Sequence, residues 1–330
     1  MLPRIPERPR SERLVNATRA LQRILRPTPL LALEEAGMRL FAKLEYYNPV
    51  GSLKDRTAFW ILKRAIERGD ITESTTLIES SSGNFASALA AFSRMLGLTF
   101  VPVIDPNITG AYESFLRTTC ATVVKVTERD DTGGFLKTRL AKVQELCAAN
   151  PDSFWTNQYG NPDGMDAHYQ LTGPELCQEL PQLDYAFVGV STGGTISGLS
   201  RRLKEHFPKV RIVAVDAKGS VIFGGPPGKR HIPGIGASVR PALVDRALID
   251  DVVMVSEKDT AAGCHALLDR HGVFAGGSSG TLYSAILSYA PRMVAPEGSA
   301  LPTVAFLCAD RGTAYLETVY DPAWAARLEA

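Results

Sequence analysis

Residues 185–217 read YAFVGVSTGGTISGLSRRLKEHFPKVRIVAVDA. The runs 185–190 and 211–217 are rich in Val, Ile and Phe and short enough for buried strands. Between them, Thr195–His206 carries a helical pattern, entered through the Gly/Ser turn 191–194. Strand, turn, helix and strand make one βαβ unit, whose strands lie parallel because the helix returns the chain to the same edge.

The same alternation runs outward in both directions. Strands are predicted at 41–46, 75–79, 99–105, 121–126 and 303–310. Helices are predicted at Lys54–Arg68, Phe85–Gly97, Gly134–Ala149, Met165–Gln178, Thr260–His271 and Ser279–Tyr289. This pattern predicts an α/β fold of mostly parallel sheets flanked by helices. A chain of 330 residues has room for two domains at roughly 150 residues each. The polar, Pro-containing stretch 150–162 marks the expected seam. Chain order then predicts a smaller domain over 50–155, set within a larger one made of 1–49 and 156–330.

Composition narrows the function. Lys and Arg number 36 against 35 Asp and Glu, for a net charge of +1, so no basic excess points to nucleic acid. The longest apolar stretch, 86–104, is broken by Arg94 and predicts no membrane span. The opening MLPRIPERPRSER has no apolar run of a secretory leader and reads as a loose arm. The five cysteines, at 120, 147, 177, 264 and 308, are odd in number, widely spaced and without a CxxC. They read as reduced thiols of a cytoplasmic protein. The five histidines form no HExxH or other ligand pattern, so no metal is expected.

Three Gly/Ser turns each follow a strand and open a helix: SSSGN (80–84), STGGT (191–195) and GGSSG (276–280). Turns at the carboxyl ends of parallel strands expose backbone N–H groups at helix N-termini, where anions bind. The 191–195 turn is the best cradle for a phosphate. It is neither a Walker A loop nor GxGxxG, although Asp216 falls near the place of a ribose-binding acid, which keeps a dinucleotide site as a second reading. Lys54 opens a helix, where the dipole favours its neutral form, and a neutral amine condenses with carbonyls.

NPVGSLKDR (48–56), SSGN (81–84), STGGT (191–195) and GGSSG (276–280), in this order, resemble the fold-type II, pyridoxal-5′-phosphate-dependent family of cysteine synthase and cystathionine β-synthase. The likeness runs from PTPL at 27–30 to Arg311-Gly312. It implies a tryptophan synthase β-like fold with the cofactor between the two domains, and a homodimer. Lys54 would carry the cofactor and move the substrate's α-proton. Asn84 would bond the ring hydroxyl, Ser191, Thr192, Gly193, Gly194 and Thr195 the phosphate, and Ser278 the pyridine nitrogen. Ser81, Ser82, Gly83 and Gln158 would grip a substrate carboxylate, with Tyr159 shaping the pocket.

The FASALA that follows SSGN, the Asn157-Gln158-Tyr159 run and the Ser that opens STGGT resemble the siderophore-pathway branch of this family. That branch implies O-phospho-L-serine and L-glutamate as substrates, and N-(2-amino-2-carboxyethyl)-L-glutamate, a precursor of 2,3-diaminopropionate, as product. Anionic substrates call for cations, and Arg139, Lys229, Arg230 and Arg240 are the candidates. The alternatives are a cysteine synthase acting on O-acetylserine or O-phosphoserine, and a non-catalytic binding protein on the same fold.

Overall fold

The computed structural model describes residues 11–131 and 133–328. In chain order its elements begin α1 (Glu12–Gln22), β1 (Leu30–Leu33), β2 (Arg39–Leu44), α2 (Lys54–Arg68), β3 (Thr76–Ser80) and α3 (Asn84–Leu96). Next come β4 (Thr99–Ile104), α4 (Gly110–Thr119), β5 (Val124–Lys125), α5 (Leu136–Ala149) and β6 (Ser153–Trp155). A π-helical turn, His168–Thr172, then joins α6 (Pro162–Ala167) to α7 (Gly173–Glu179). The remainder is β7 (Tyr185–Gly189), α8 (Gly194–His206), β8 (Arg211–Ala217), β9 (Asp251–Val255), α9 (Glu257–His271), α10 (Gly277–Tyr289), β10 (Thr303–Cys308) and α11 (Pro322–Ala325).

The chain divides into two compact units. The first takes the residues up to Arg26 together with Lys54–Asn157, and the second Pro27–Leu53 with Gln158–Ala330. Position in the chain placed the N-terminal segment with the larger domain, but α1 packs on α2 and α3. Its apolar stripe explains this, since Leu14, Thr18 and Leu21 are buried. Ser11 caps α1 by accepting from the Leu14 N–H at 3.2 Å, so the loose-arm reading fails from Ser11 onward. The rest of that arm, residues 1–10, lies outside the described residues.

The first unit holds a four-stranded parallel sheet in the order β5-β4-β3-β6. Phe59, Ile61 and Leu62 of α2 and Leu89 and Phe92 of α3 are fully buried. Strand β6 falls inside the stretch read as a seam. Phe154 and Trp155 pair there with Leu77 and Ile78 of β3.

The second unit holds a six-stranded sheet in the order β1-β2-β10-β7-β8-β9, parallel except for the β1/β2 pair. Alternate residues of the central strands feed two cores. Phe187, Val213, Val215 and Phe306 pack on one face with Tyr283 and Ile286 of α10. Ala186, Val188, Ile212 and Ala214 pack on the other with Ile196, Leu199 and Leu203 of α8. Burial of both faces is why β7 and β8 read as continuous apolar runs. A Cβ at Gly198 would lie 2.2 Å from the Met165 carbonyl oxygen, so glycine is what lets α8 reach α6 at backbone contact.

Candidate active site

In the second unit, β7 runs into the 191–193 turn and the start of α8. The backbone N–H groups of Thr192, Gly193, Gly194 and Thr195 donate to no acceptor among the described residues. They form a nest of donors at the positive end of a 13-residue helix. Gly193 makes the turn possible. Its φ is 87°, and a Cβ there would stand 2.8 Å from the Val244 backbone nitrogen. The hydroxyls are differently employed. Ser191 Oγ donates to the Gly236 carbonyl at 3.3 Å, and Thr195 Oγ1 bonds His168 Nε2 at 3.2 Å, whose Nδ1 meets Thr172 Oγ1 at 3.0 Å. Thr192 is the member whose hydroxyl bonds nothing among the described residues. His168, read as bland in the sequence, is thus joined to the cradle through the π-helical turn.

Ser278 lies in the first turn of α10, 8% exposed, with a hydroxyl that makes no hydrogen bond among the described residues. Two glycines precede it for steric reasons. A Cβ at Gly276 would meet Asp310 Oδ1 at 2.0 Å, and one at Gly277 would meet Ile232 Cγ2 at 2.3 Å. The Gly/Pro stretch 218–238 arches back on itself: Gly228 N–H donates to Gly219 O at 3.0 Å and Val221 N–H to Ala237 O at 3.1 Å. It brings Gly234 beside Ser278, where a Cβ would lie 3.6 Å from the Ser278 Cβ. Asp216 is fully buried at the end of β8, with its carboxyl pKa raised by desolvation, and offers no face to a ribose. Gln158 is buried and Tyr159 half-buried. They follow Asn157, whose φ of 48° is a left-handed conformation that asparagine tolerates better than most residues.

In the first unit, Lys54 is the first residue of α2. Its amine is pushed down to about 8, with burial as the cause and the Glu79 carboxylate opposing it. Burial thus does what helix position was expected to do. Glu79 is itself fully buried, accepting from Ser80 N–H at 2.7 Å and Thr156 Oγ1 at 2.6 Å. Asn84 opens α3, and its Oδ1 accepts from the Tyr112 hydroxyl at 2.6 Å.

Ser81, Ser82 and Gly83 form the turn before α3. Ser81 Oγ accepts from Ala86 N–H at 3.2 Å. Ser82 Oγ accepts from Arg139 Nη1 at 3.0 Å, and that nitrogen also stands 3.2 Å from Asp105 Oδ2. Arg139 Nε is buried without a hydrogen-bond partner among the described residues. The other cations differ. Arg240 is held by Asp245 at 2.7 Å and by the Ile222 carbonyl, Arg230 bonds Ser238 Oγ at 3.1 Å, and Lys229 is exposed. Arg139 is therefore the candidate cation that reaches a predicted site residue. Asp105, Tyr112, Glu79 and His168 were missed by sequence reasoning, since each earns its place through a partner far away in the chain.

No group of three or more His, Cys, Asp or Glu among the described residues could hold a metal ion. The buried thiols of Cys264 and Cys308 are pushed up to about 12 by burial and behave as core atoms. Taken unit by unit, the groups present are of the kinds pyridoxal phosphate uses: an amide nest and a neutral Ser278 hydroxyl in the second unit, and a lysine of lowered pKa in the first.

The profile of the pyridoxal-phosphate dependent enzymes matches residues 21–301, and the chain belongs to that family. It is a two-domain fold-type II enzyme that uses pyridoxal phosphate. Among individual proteins, it is 46% identical over 308 residues to the N-(2-amino-2-carboxyethyl)-L-glutamate synthase of Ralstonia nicotianae, covering 92% of this chain and 90% of that one. The structure superposes on the O-acetylserine dependent cystathionine beta-synthase of Helicobacter pylori with a TM-score of 0.83 at 30% identity, covering 90% of this chain and 97% of that one. A hydrogen sulfide-producing enzyme of Fusobacterium nucleatum gives a TM-score of 0.81 at 27% identity, covering 90% and 99%.

Proposed function

We propose that this enzyme joins O-phospho-L-serine to L-glutamate, giving N-(2-amino-2-carboxyethyl)-L-glutamate and phosphate, a step toward 2,3-diaminopropionate for siderophore assembly. The observation that carries the reading is the 46% identity to the Ralstonia synthase across 92% of the chain. The partly buried Arg139 guanidinium beside Ser82 supports it: Asp105 and Ser82 share one of its nitrogens, and the proposal assigns the rest of the fork to an anionic substrate. A cytoplasmic homodimer is part of the same proposal.

When bound, pyridoxal phosphate supplies an electron sink that acidifies the α-carbon of an attached amino acid. The proposal assigns the 192–195 amides to its phosphate, Ser278 to its ring nitrogen, Asn84 to its ring hydroxyl and Lys54 to its aldehyde. The Lys54 amine takes the Cα proton of phosphoserine and later returns it. Phosphate departs from Cβ with the C–O bonding pair, and Arg139 balances its charge. The α-nitrogen of glutamate then bonds Cβ and gives up a proton. Ser278, a neutral hydroxyl, does not hold a proton on the ring nitrogen as a carboxylate would. It thereby favours loss of a β-substituent over transamination. Ser81, Ser82, Gly83, Gln158 and Tyr159 orient the carboxylates.

The test supplies the purified holoenzyme with O-phospho-L-serine and either L-glutamate or sulfide, and identifies products by mass spectrometry. The glutamate adduct with release of inorganic phosphate is expected. Cysteine from sulfide with no glutamate adduct would make the enzyme a cysteine synthase and defeat the proposal.

A further inference from the structure

Helix α4 contributes a side chain to the α3 N-terminus that no sequence motif announces. Thr109 caps α4, and its first turn carries Tyr112, whose hydroxyl donates to Asn84 Oδ1 at 2.6 Å. Both side chains are partly buried and belong to the same compact unit. A carboxamide has two faces of opposite polarity, and rotation by half a turn exchanges its oxygen for its NH₂. In the bond as it stands the phenol donates to the oxygen, which turns the Asn84 NH₂ the other way, so the amide is set to meet a ligand as a donor rather than an acceptor.

We infer that Tyr112 is a positioning residue for the cofactor: it holds the Asn84 amide in the orientation that donates to an anionic ring oxygen. This rests on the proposed contact of Asn84 with the ring hydroxyl of pyridoxal phosphate. A donor there favours the deprotonated oxygen over the neutral hydroxyl. Tyr112 thus acts on cofactor affinity and on the protonation of the bound chromophore without touching the cofactor itself.

The experiment compares the wild type, Tyr112→Phe, Asn84→Ala and the double variant. Each apo protein is titrated with pyridoxal phosphate, and the visible spectrum of the loaded form is followed against pH. Tyr112→Phe keeps the ring and removes the donor. It is expected to weaken cofactor binding about fivefold, the size of one neutral hydrogen bond, and to shift the spectral titration to higher pH. The double variant should be no worse than Asn84→Ala, because the hydroxyl acts only through that amide. Tyr112→Gln, which restores a donor without the ring, should recover part of the loss, whereas a packing role would make it worse than Tyr112→Phe. If Asn84→Ala changes affinity and spectrum while Tyr112→Phe changes neither, the inference is overturned. If Asn84→Ala itself changes neither, the assignment of Asn84 fails instead.

Discussion

The lowered Lys54 amine has two consequences of opposite character, one for stability and one for rate. Its value of about 8 lies well below the ordinary 10.5 because burial penalises the ammonium. Below about pH 8 the lysine is protonated in both the folded and unfolded states, and the folded apo protein bears the full penalty. Between pH 8 and 10.5 the unfolded chain keeps a proton that the folded one has released, so stability rises with pH across that window. At about 1.4 kcal/mol per unit the gain is about 3 kcal/mol. The assay is urea unfolding of the apo protein from pH 7 to 10.5, against Lys54→Met, which removes the titration and keeps the bulk. The Met variant should be the more stable at pH 7, and the two should converge by pH 10.5. The same value leaves about a tenth of Lys54 neutral at pH 7, against about one in three thousand for a solvated lysine. The rate at which apo protein captures pyridoxal phosphate should therefore climb about tenfold per pH unit and level off above about 8. A stability difference constant across the window, with capture still accelerating at pH 10, would refute the argument that burial has lowered the amine.

Other substitutions test the parts around it. Glu79→Gln removes the one charge that raises the Lys54 pKa, so the plateau of the capture profile should begin at lower pH; an unmoved profile would show that the two groups do not interact. Gly193→Ala forces a side chain into a left-handed turn against the Val244 nitrogen, and a loss of cofactor affinity of at least about tenfold is expected in an equilibrium titration. Ser191→Ala removes only a hydroxyl spent on the Gly236 carbonyl, and the same titration should change less than about threefold. Phe187→Ala, in the fully buried centre of the six-stranded sheet, should cost about 3–5 kcal/mol in chemical denaturation.

The parts of the fold that were legible are those in which local pattern and tertiary burial agree. Lys54–Arg68 was read with its observed bounds because its apolar residues, Phe59, Ile61, Leu62, Ala65 and Ile66, recur at helical spacing and are all buried. The βαβ unit at 185–217 was equally plain, since both strands are buried on two faces. Helix α4 was not legible: Leu116 is its one buried residue, so it has no apolar stripe, and its start rests on a Thr109 cap. Strand β6 is too short to show a period and becomes a strand by pairing with β3. Strands β1 and β9 sit at the edges of the six-stranded sheet, where weak burial leaves a weak signal. The helix read as continuous over 165–178 contains the π-helical turn His168–Thr172, which no residue type in that stretch announces.

The candidate site shows the same division at the level of atoms. Motifs name residue types, and a Ser/Thr/Gly turn suggests hydroxyls aimed at a phosphate. In the folded chain, the Ser191 hydroxyl is spent on Gly236 and the Thr195 hydroxyl on His168, while four consecutive amides remain for an anion. A backbone donor has no side-chain identity, so the sequence records it only indirectly, through the glycine that permits the turn. Gly193 is informative for that reason: its positive φ and its contact with Val244 leave no room for any other residue, whereas a hydroxyl bonding its own protein is exchangeable at small cost. The same logic applies to Ser82, whose hydroxyl serves as the acceptor that steadies Arg139 and thereby places a cation beside the turn. Residue type therefore locates this site, and backbone geometry with long-range partners decides which atoms of it are available to a ligand.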